Sequence, residues 1–128
     1  MQKSKSIISL IIGDLLVLVL FTVIGRISHN LPLSVGAVLW TTFPFALAWL
    51  VIAPLTGLYR PDIQTRFLSV TWRTGLAVLV AAPLGSYLRG ILLGHHIIFI
   101  FYVITTVTLL LMIWLWRWGF TWWQHRSR

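Results

Sequence analysis

An all-α fold, a four-helix transmembrane bundle with antiparallel neighbours, is what this sequence predicts, on three observations. First, 59% of its 128 residues are hydrophobic and only 9% charged, with a mean hydropathy of +0.92; a soluble domain of this size needs far more charge to cover its surface. Second, four apolar runs, at about 7–27, 38–58, 70–93 and 97–118, are each long enough to cross a bilayer. A hydrocarbon core of ~30 Å is spanned by about 20 helical residues rising ~1.5 Å each. Third, the Lys and Arg residues stand at the ends of those runs, where they set topology. Residues 1–128 are read as a single transmembrane domain with no separate soluble module.

The first run carries an acid, Asp14, well inside it. Seven residues from Ile7 at ~1.5 Å put that carboxyl roughly 10 Å deep. The basic start, Lys3 and Lys5, resembles the flank of a signal peptide, but the run that follows is too long, holds Asp14 and lacks a small-x-small cleavage site. It is therefore a retained span. Turn formers and Pro32 fill the connection from Ser28 to Ser34.

In the second run Ala46, Ala53 and Gly57 form a stripe of small residues, the surface against which membrane helices pack. Pro44 and Pro54 are expected to kink or end this helix, and Pro83 the third. The most polar stretch, Tyr59 to Arg66, joins runs two and three; its Tyr59-Arg60-Pro61-Asp62 reads as a turn with a surface ion pair. In the third run Gly75, Ala82, Ser86 and Arg89 share one stripe. A short connection, Gly94-His95-His96, makes runs three and four a tight hairpin, and the tail from Phe120 to Arg128 is aromatic, then basic.

Orientation follows from the ten Lys and Arg. With the N-terminus inside, Lys3, Lys5, Arg60, Arg66, Arg73, Arg117, Arg126 and Arg128 are cytoplasmic, and only Arg26 and Arg89 are outside. The positive-inside rule places both termini in the cytoplasm, and the expected location is an inner (plasma) membrane, or an equivalent internal membrane. Trp40 marks the outer interface, and Trp72, Trp114, Trp116, Trp118, Trp122 and Trp123 read as an inner aromatic belt.

An ionisable residue inside a membrane is a functional-site hypothesis by default. Counted from the cytoplasmic ends, Trp49 and Thr108 lie near the level of Asp14, and Arg73 is the cation able to reach up to it. The expected polar membrane layer is thus Asp14, Trp49, Arg73 and Thr108. Without Arg73, desolvation favours the neutral acid. Arg26 and Arg89, each about one turn inside the outer interface, are either a binding pair for an anion or lipid headgroup or two separate snorkelling side chains. His29, His95 and His96 lie near the same face, but adjacent histidines do not converge on one ion and no acid completes a site. No metal or cofactor is expected.

Absent residues exclude whole classes of chemistry. The chain has no cysteine, so disulfides, thiolate metal sites and cysteine nucleophiles are ruled out. It has two acids, one in a loop, and no glutamate; paired-carboxylate or triad catalysis cannot be assembled within one chain. An enzyme is not expected. The net charge of +8 sits at the membrane faces and does not point to nucleic acid.

A set of short motifs carries a resemblance. Gly13-Asp14, Ile24-Gly25-Arg26, Trp40-Thr41-Thr42-Phe43-Pro44-Phe45, Ala53-Pro54-Leu55-Thr56-Gly57-Leu58-Tyr59, Trp72-Arg73 and Pro83-Leu84-Gly85-Ser86-Tyr87-Leu88-Arg89-Gly90 together resemble an uncharacterised bacterial domain-of-unknown-function family of small four-span membrane proteins. The resemblance runs from about Ile8 to Trp118. It implies four helices and points to Asp14, Arg26, Trp40, Arg73 and Arg89 as the family's polar positions, and it implies no activity.

Two functions fit these residues. One is a non-enzymatic accessory or packing subunit of a membrane assembly, in contact with lipids and with other subunits or further copies of itself. The other is a small proton-linked transporter or binding protein for an anionic or amphipathic molecule, with Asp14 as the protonatable group and Arg26 and Arg89 attracting the anion.

Overall fold

In a computed structural model of the protein, residues 2–28, 30–60, 63, 66–94 and 99–126 are described, with side chains for all of these except 2–6, 93, 124 and 125. The described residues form four helices and no strand: α1 (Gln2–Ser28), α2 (Val35–Leu55), α3 (Phe67–Leu93) and α4 (Phe99–Arg126). Stretches within them, Ile7–Ser28, Val35–Leu55, Phe67–Leu92 and Phe99–Trp123, are long and apolar enough to cross a membrane. The fold is the expected all-α, four-helix one.

The helices pack in a ring, α1 on α2, α2 on α3, α3 on α4 and α4 back on α1. In lipid no hydrophobic force draws them together, so close packing and polar contacts must. Small residues provide the closeness: Ala77, Ala81, Ala82 and Ser86 of α3 and Ala48 and Ala53 of α2 are buried. Gly85 meets Phe45 so tightly that a Cβ there would lie 2.6 Å from the Phe45 ring. Leu18, Trp49, Leu109 and Ile113 fill the centre of the core. Leucines, isoleucines and valines at the remaining positions, such as Leu16, Leu20, Leu79 and Leu111, face outward, as a lipid-facing surface requires.

Two helix ends depart from the sequence expectation. α2 stops at Leu55 and not near residue 58, because a turn folds the chain back on itself. Leu58 N–H reaches Ala53 C=O (3.2 Å) and Gly57 N–H reaches Pro54 C=O (3.0 Å), with Gly57 at φ 76°, the left-handed residue of a Schellman cap. Arg73 clamps this turn: its Nη1 donates to Thr56 C=O at 2.7 Å and lies against the Gly57 Cα. The end of α1 uses the same device, with Leu31 N–H on Arg26 C=O, Asn30 N–H on Ile27 C=O and Asn30 at φ 55°. α4 runs past residue 118 to Arg126, through a stretch that holds no proline. Pro44, Pro54 and Pro83 all lie within helices.

The tryptophans near the start of α3 and the end of α4 divide into two groups. Trp72, Trp122 and Trp123 are exposed, as a belt requires. Trp114 and Trp118 stack on each other, 5.5 Å between centroids, and both reach across to α3: Trp114 Nε1 donates to Thr71 C=O (3.0 Å) and Trp118 Nε1 to Thr71 Oγ1 (2.7 Å). Each of these two indole N–H groups finds its partner on a neighbouring helix, while Trp118 itself stays exposed.

Gly57→Ala puts a Cβ at positive φ and against the Arg73 guanidinium, and is expected to destabilise the protein by about 1–3 kcal/mol. Gly36→Ala, with nothing within 4 Å, is expected to be neutral or slightly stabilising. Thermal unfolding of both variants in detergent checks the contrast.

Candidate functional site

Glycine at position 13 explains how the site is built. The Trp116 indole of α4 lies where a residue-13 Cβ would stand, so only glycine lets it press against α1. In that position Trp116 Nε1 donates to Asp14 Oδ1 at 2.9 Å. The next residue on α4, Arg117, sends Nε to Oδ1 (3.1 Å) and Nη2 to Oδ2 (2.6 Å), a two-point ion pair. From α2, Trp49 Nε1 donates to Oδ2 at 3.2 Å and to the Tyr59 hydroxyl at 2.8 Å. Tyr59, returned toward α1 by the turn after α2, donates its own hydroxyl to Oδ2. The Arg117 guanidinium also lies 5.1 Å from the centre of the Tyr59 ring. Asp14 and Arg117 are 0% and 1% exposed, so water solvates neither.

A carboxylate offers about four lone-pair sites, and here four side chains from α2, the turn after it and α4 occupy both oxygens. An isolated Asp at the bilayer centre costs roughly 2.5–3.5 kcal/mol on insertion scales. Arg117 supplies the countercharge and the indoles and phenol the hydrogen bonds, which is how a buried charge becomes tolerable. Burial, then the Asp14 charge, pushes the Tyr59 hydroxyl above its ordinary 10.0.

The expected polar layer is rearranged. Asp14 and Trp49 do meet. Arg73 is not the counter-ion: its guanidinium is engaged with the Thr56 carbonyl and lies 4.7 Å from the Trp72 ring, so it acts on the turn that carries Tyr59. Thr108 lies in the other half of the bundle, on a cavity wall.

Sequence reasoning missed Tyr59, Trp116 and Arg117. Trp116 and Arg117 read as interface residues because they stand at the end of run four, and Tyr59 as part of the turn after run two. The available signal was the stretch after residue 118, which stays aromatic and holds no proline; carrying the helix onward places Arg117 deeper in the membrane, where a lone acid needs a cation.

Arg26 and Arg89 meet at the opposite end. Both line a cavity of about 300 Å³ bounded by all four helices. Arg26 also donates from Nε to Pro32 C=O (2.7 Å) and from Nη1 to Thr41 Oγ1 (2.9 Å). His29, His95, His96 and Asp62 lie outside the described residues.

A family model described as "Protein of unknown function (DUF3054)" matches residues 11–120. No curated protein and no solved structure matches the chain.

Arg117→Gln strands a buried carboxylate and is expected to lower stability by about 3–5 kcal/mol, whereas Asp14→Asn with Arg117→Gln recovers much of that loss. A double-mutant cycle on detergent-phase thermal melts measures it; additive losses would break the ion-pair assignment. The native state holds the Tyr59 proton more tightly than the unfolded chain. That stabilisation is complete below pH 10 and is lost as pH rises beyond it. Tyr59→Phe should flatten this part of the stability–pH curve.

Proposed function

We propose, from the premise that the chain belongs to the DUF3054 family of proteins of unknown function, that it is a non-enzymatic multi-pass membrane protein acting as an accessory or packing subunit of a membrane assembly. Both termini face the cytoplasm in this reading, supported by Lys3, Lys5, Arg60, Arg66, Arg73, Arg126 and Arg128 against Arg26 and Arg89. The observation that carries it is the occupied carboxylate of Asp14. The acid is committed to holding α1, α2 and α4 in one register, and a fixed inner half suits a packing element.

The alternative, proton-linked transport, asks Asp14 to exchange its proton in each cycle. Both of its oxygens face protein donors in a fully buried setting, so exchange requires the ion pair to open. Movement of α2 against α1 and α4 would break the same contacts. The accessory reading needs no such opening.

The tagged chain, expressed in its own membrane and isolated in mild detergent, is expected to bring a membrane-protein partner in constant ratio. A lone monomer or homodimer would defeat the assembly reading. In proteoliposomes containing a pH-sensitive dye, the wild type and Asp14→Asn are expected to give equal proton leak. A flux present in the wild type and abolished in Asp14→Asn would establish transport instead.

A further inference from the structure

The cavity at the other end of the bundle from Asp14 has two properties that belong together. Its walls are largely apolar, with Phe21, Phe45, Phe101, Ile100 and Ile104 among them, and two guanidiniums stand at its side. Arg26 and Arg89 also line a second space of about 190 Å³ between α2 and α3, together with Trp40 and Pro44. The two arginines therefore line both spaces.

Among the described residues no acid neutralises that pair. The sequence has two acids. Asp14 is bound to Arg117 in the opposite half, and Asp62 lies outside the described residues. Arg26 spends two of its N–H groups on Pro32 and Thr41 and is thereby fixed in place. Arg89 is half-buried; among the described residues its one contact of this kind is the Phe101 ring, 5.5 Å from its guanidinium carbon. Two like charges held together at an apolar cavity, one of them braced and the other with its donor fork open, call for an oxyanion between them.

We propose that this cavity binds a single-chain amphiphile with an oxyanion head, a carboxylate or a phosphate monoester, whose head is clamped by Arg26 and Arg89 and whose chain lies along the apolar walls. The volume favours one chain over two, since about 300 Å³ is at the lower limit of ligand-sized pockets. Thr22, Thr41, Thr105 and Thr108 give the walls hydroxyls without charge, so an anionic head has one place to go.

The test uses the full chain purified in dodecyl maltoside and titrated with dodecanoate, dodecyl phosphate, dodecanol and inorganic phosphate, read by native mass spectrometry and by the shift of the thermal midpoint. Dodecanoate and dodecyl phosphate are expected to bind saturably at one per chain and raise the midpoint; dodecanol and inorganic phosphate are expected to do neither. Arg89→Gln should weaken both amphiphiles at least tenfold, with Arg89→Lys intermediate because it keeps charge and loses the fork. Thr108→Phe, which fills the cavity without altering charge, should weaken them as well. Because Arg26 also braces the end of α1, Arg89 and Thr108 are the informative positions. Equal binding of dodecanol, or binding unchanged within twofold in Arg89→Gln, overturns the site. A phosphatidylglycerol molecule retained through purification in an Arg89-dependent way and not displaced by dodecanoate overturns the single-chain assignment, since the head site would then be filled from the bilayer.

Discussion

A buried ion pair between Asp14 and Arg117 sets the terms for one half of this helix bundle. A carboxylate at that depth has no water, so every contact it makes must come from another helix, and each donor has required its own local arrangement. Gly13 has no side chain because Trp116 occupies that space. The α2 terminus ends in a left-handed glycine because only a reversal there returns Tyr59 to the acid. Arg73 then holds the reversal shut from α3. One side chain on α1 thus ties in α2, the turn after it and α4 by direct contact, and α3 through the turn.

The two halves of the bundle handle positive charge in opposite ways. In the half around Asp14, Arg117 faces that acid, is buried and lies against the Tyr59 ring. In the other half Arg26 and Arg89 line one cavity, with no acid beside them among the described residues. A guanidinium pair that is not neutralised within the chain resists close packing, since each charge keeps a solvated or ligated side and repels the other. That repulsion gives a physical reason for the helices to part where they do. It also separates a rigid element from an open one within a chain of only four helices. Hydroxyl contacts such as Thr22 with Thr42, 2.9 Å apart, join α1 and α2 at the cavity wall.

Aromatic side chains do different work here from their usual place at a membrane interface. Trp49, Trp114, Trp116 and Trp118 each use the indole N–H across a helix boundary, while Trp40, Trp72, Trp122 and Trp123 remain exposed. An indole brings a large apolar surface and a single donor, which suits a helix contact in lipid, where burying an unpaired N–H is costly.

Sequence alone determined the class of the protein: four helices, their approximate positions, the burial of Asp14 and its nearness to Trp49. Those properties depend on hydropathy and on residue counting along helices of fixed rise, which are local quantities. The packing stripe on α3 was also legible, because Gly75, Ala82 and Ser86 recur at helical spacing and are buried together. Tertiary structure alone decided which cation answers Asp14. Arg73 and Arg117 look alike in the sequence, as basic residues near an inner interface. The choice between them turned on where α2 and α4 end and on which face of each helix is turned inward. Depth along a helix can be counted from the chain; rotation about its axis is set by how neighbouring helices pack, and that arrangement exists only in the folded bundle.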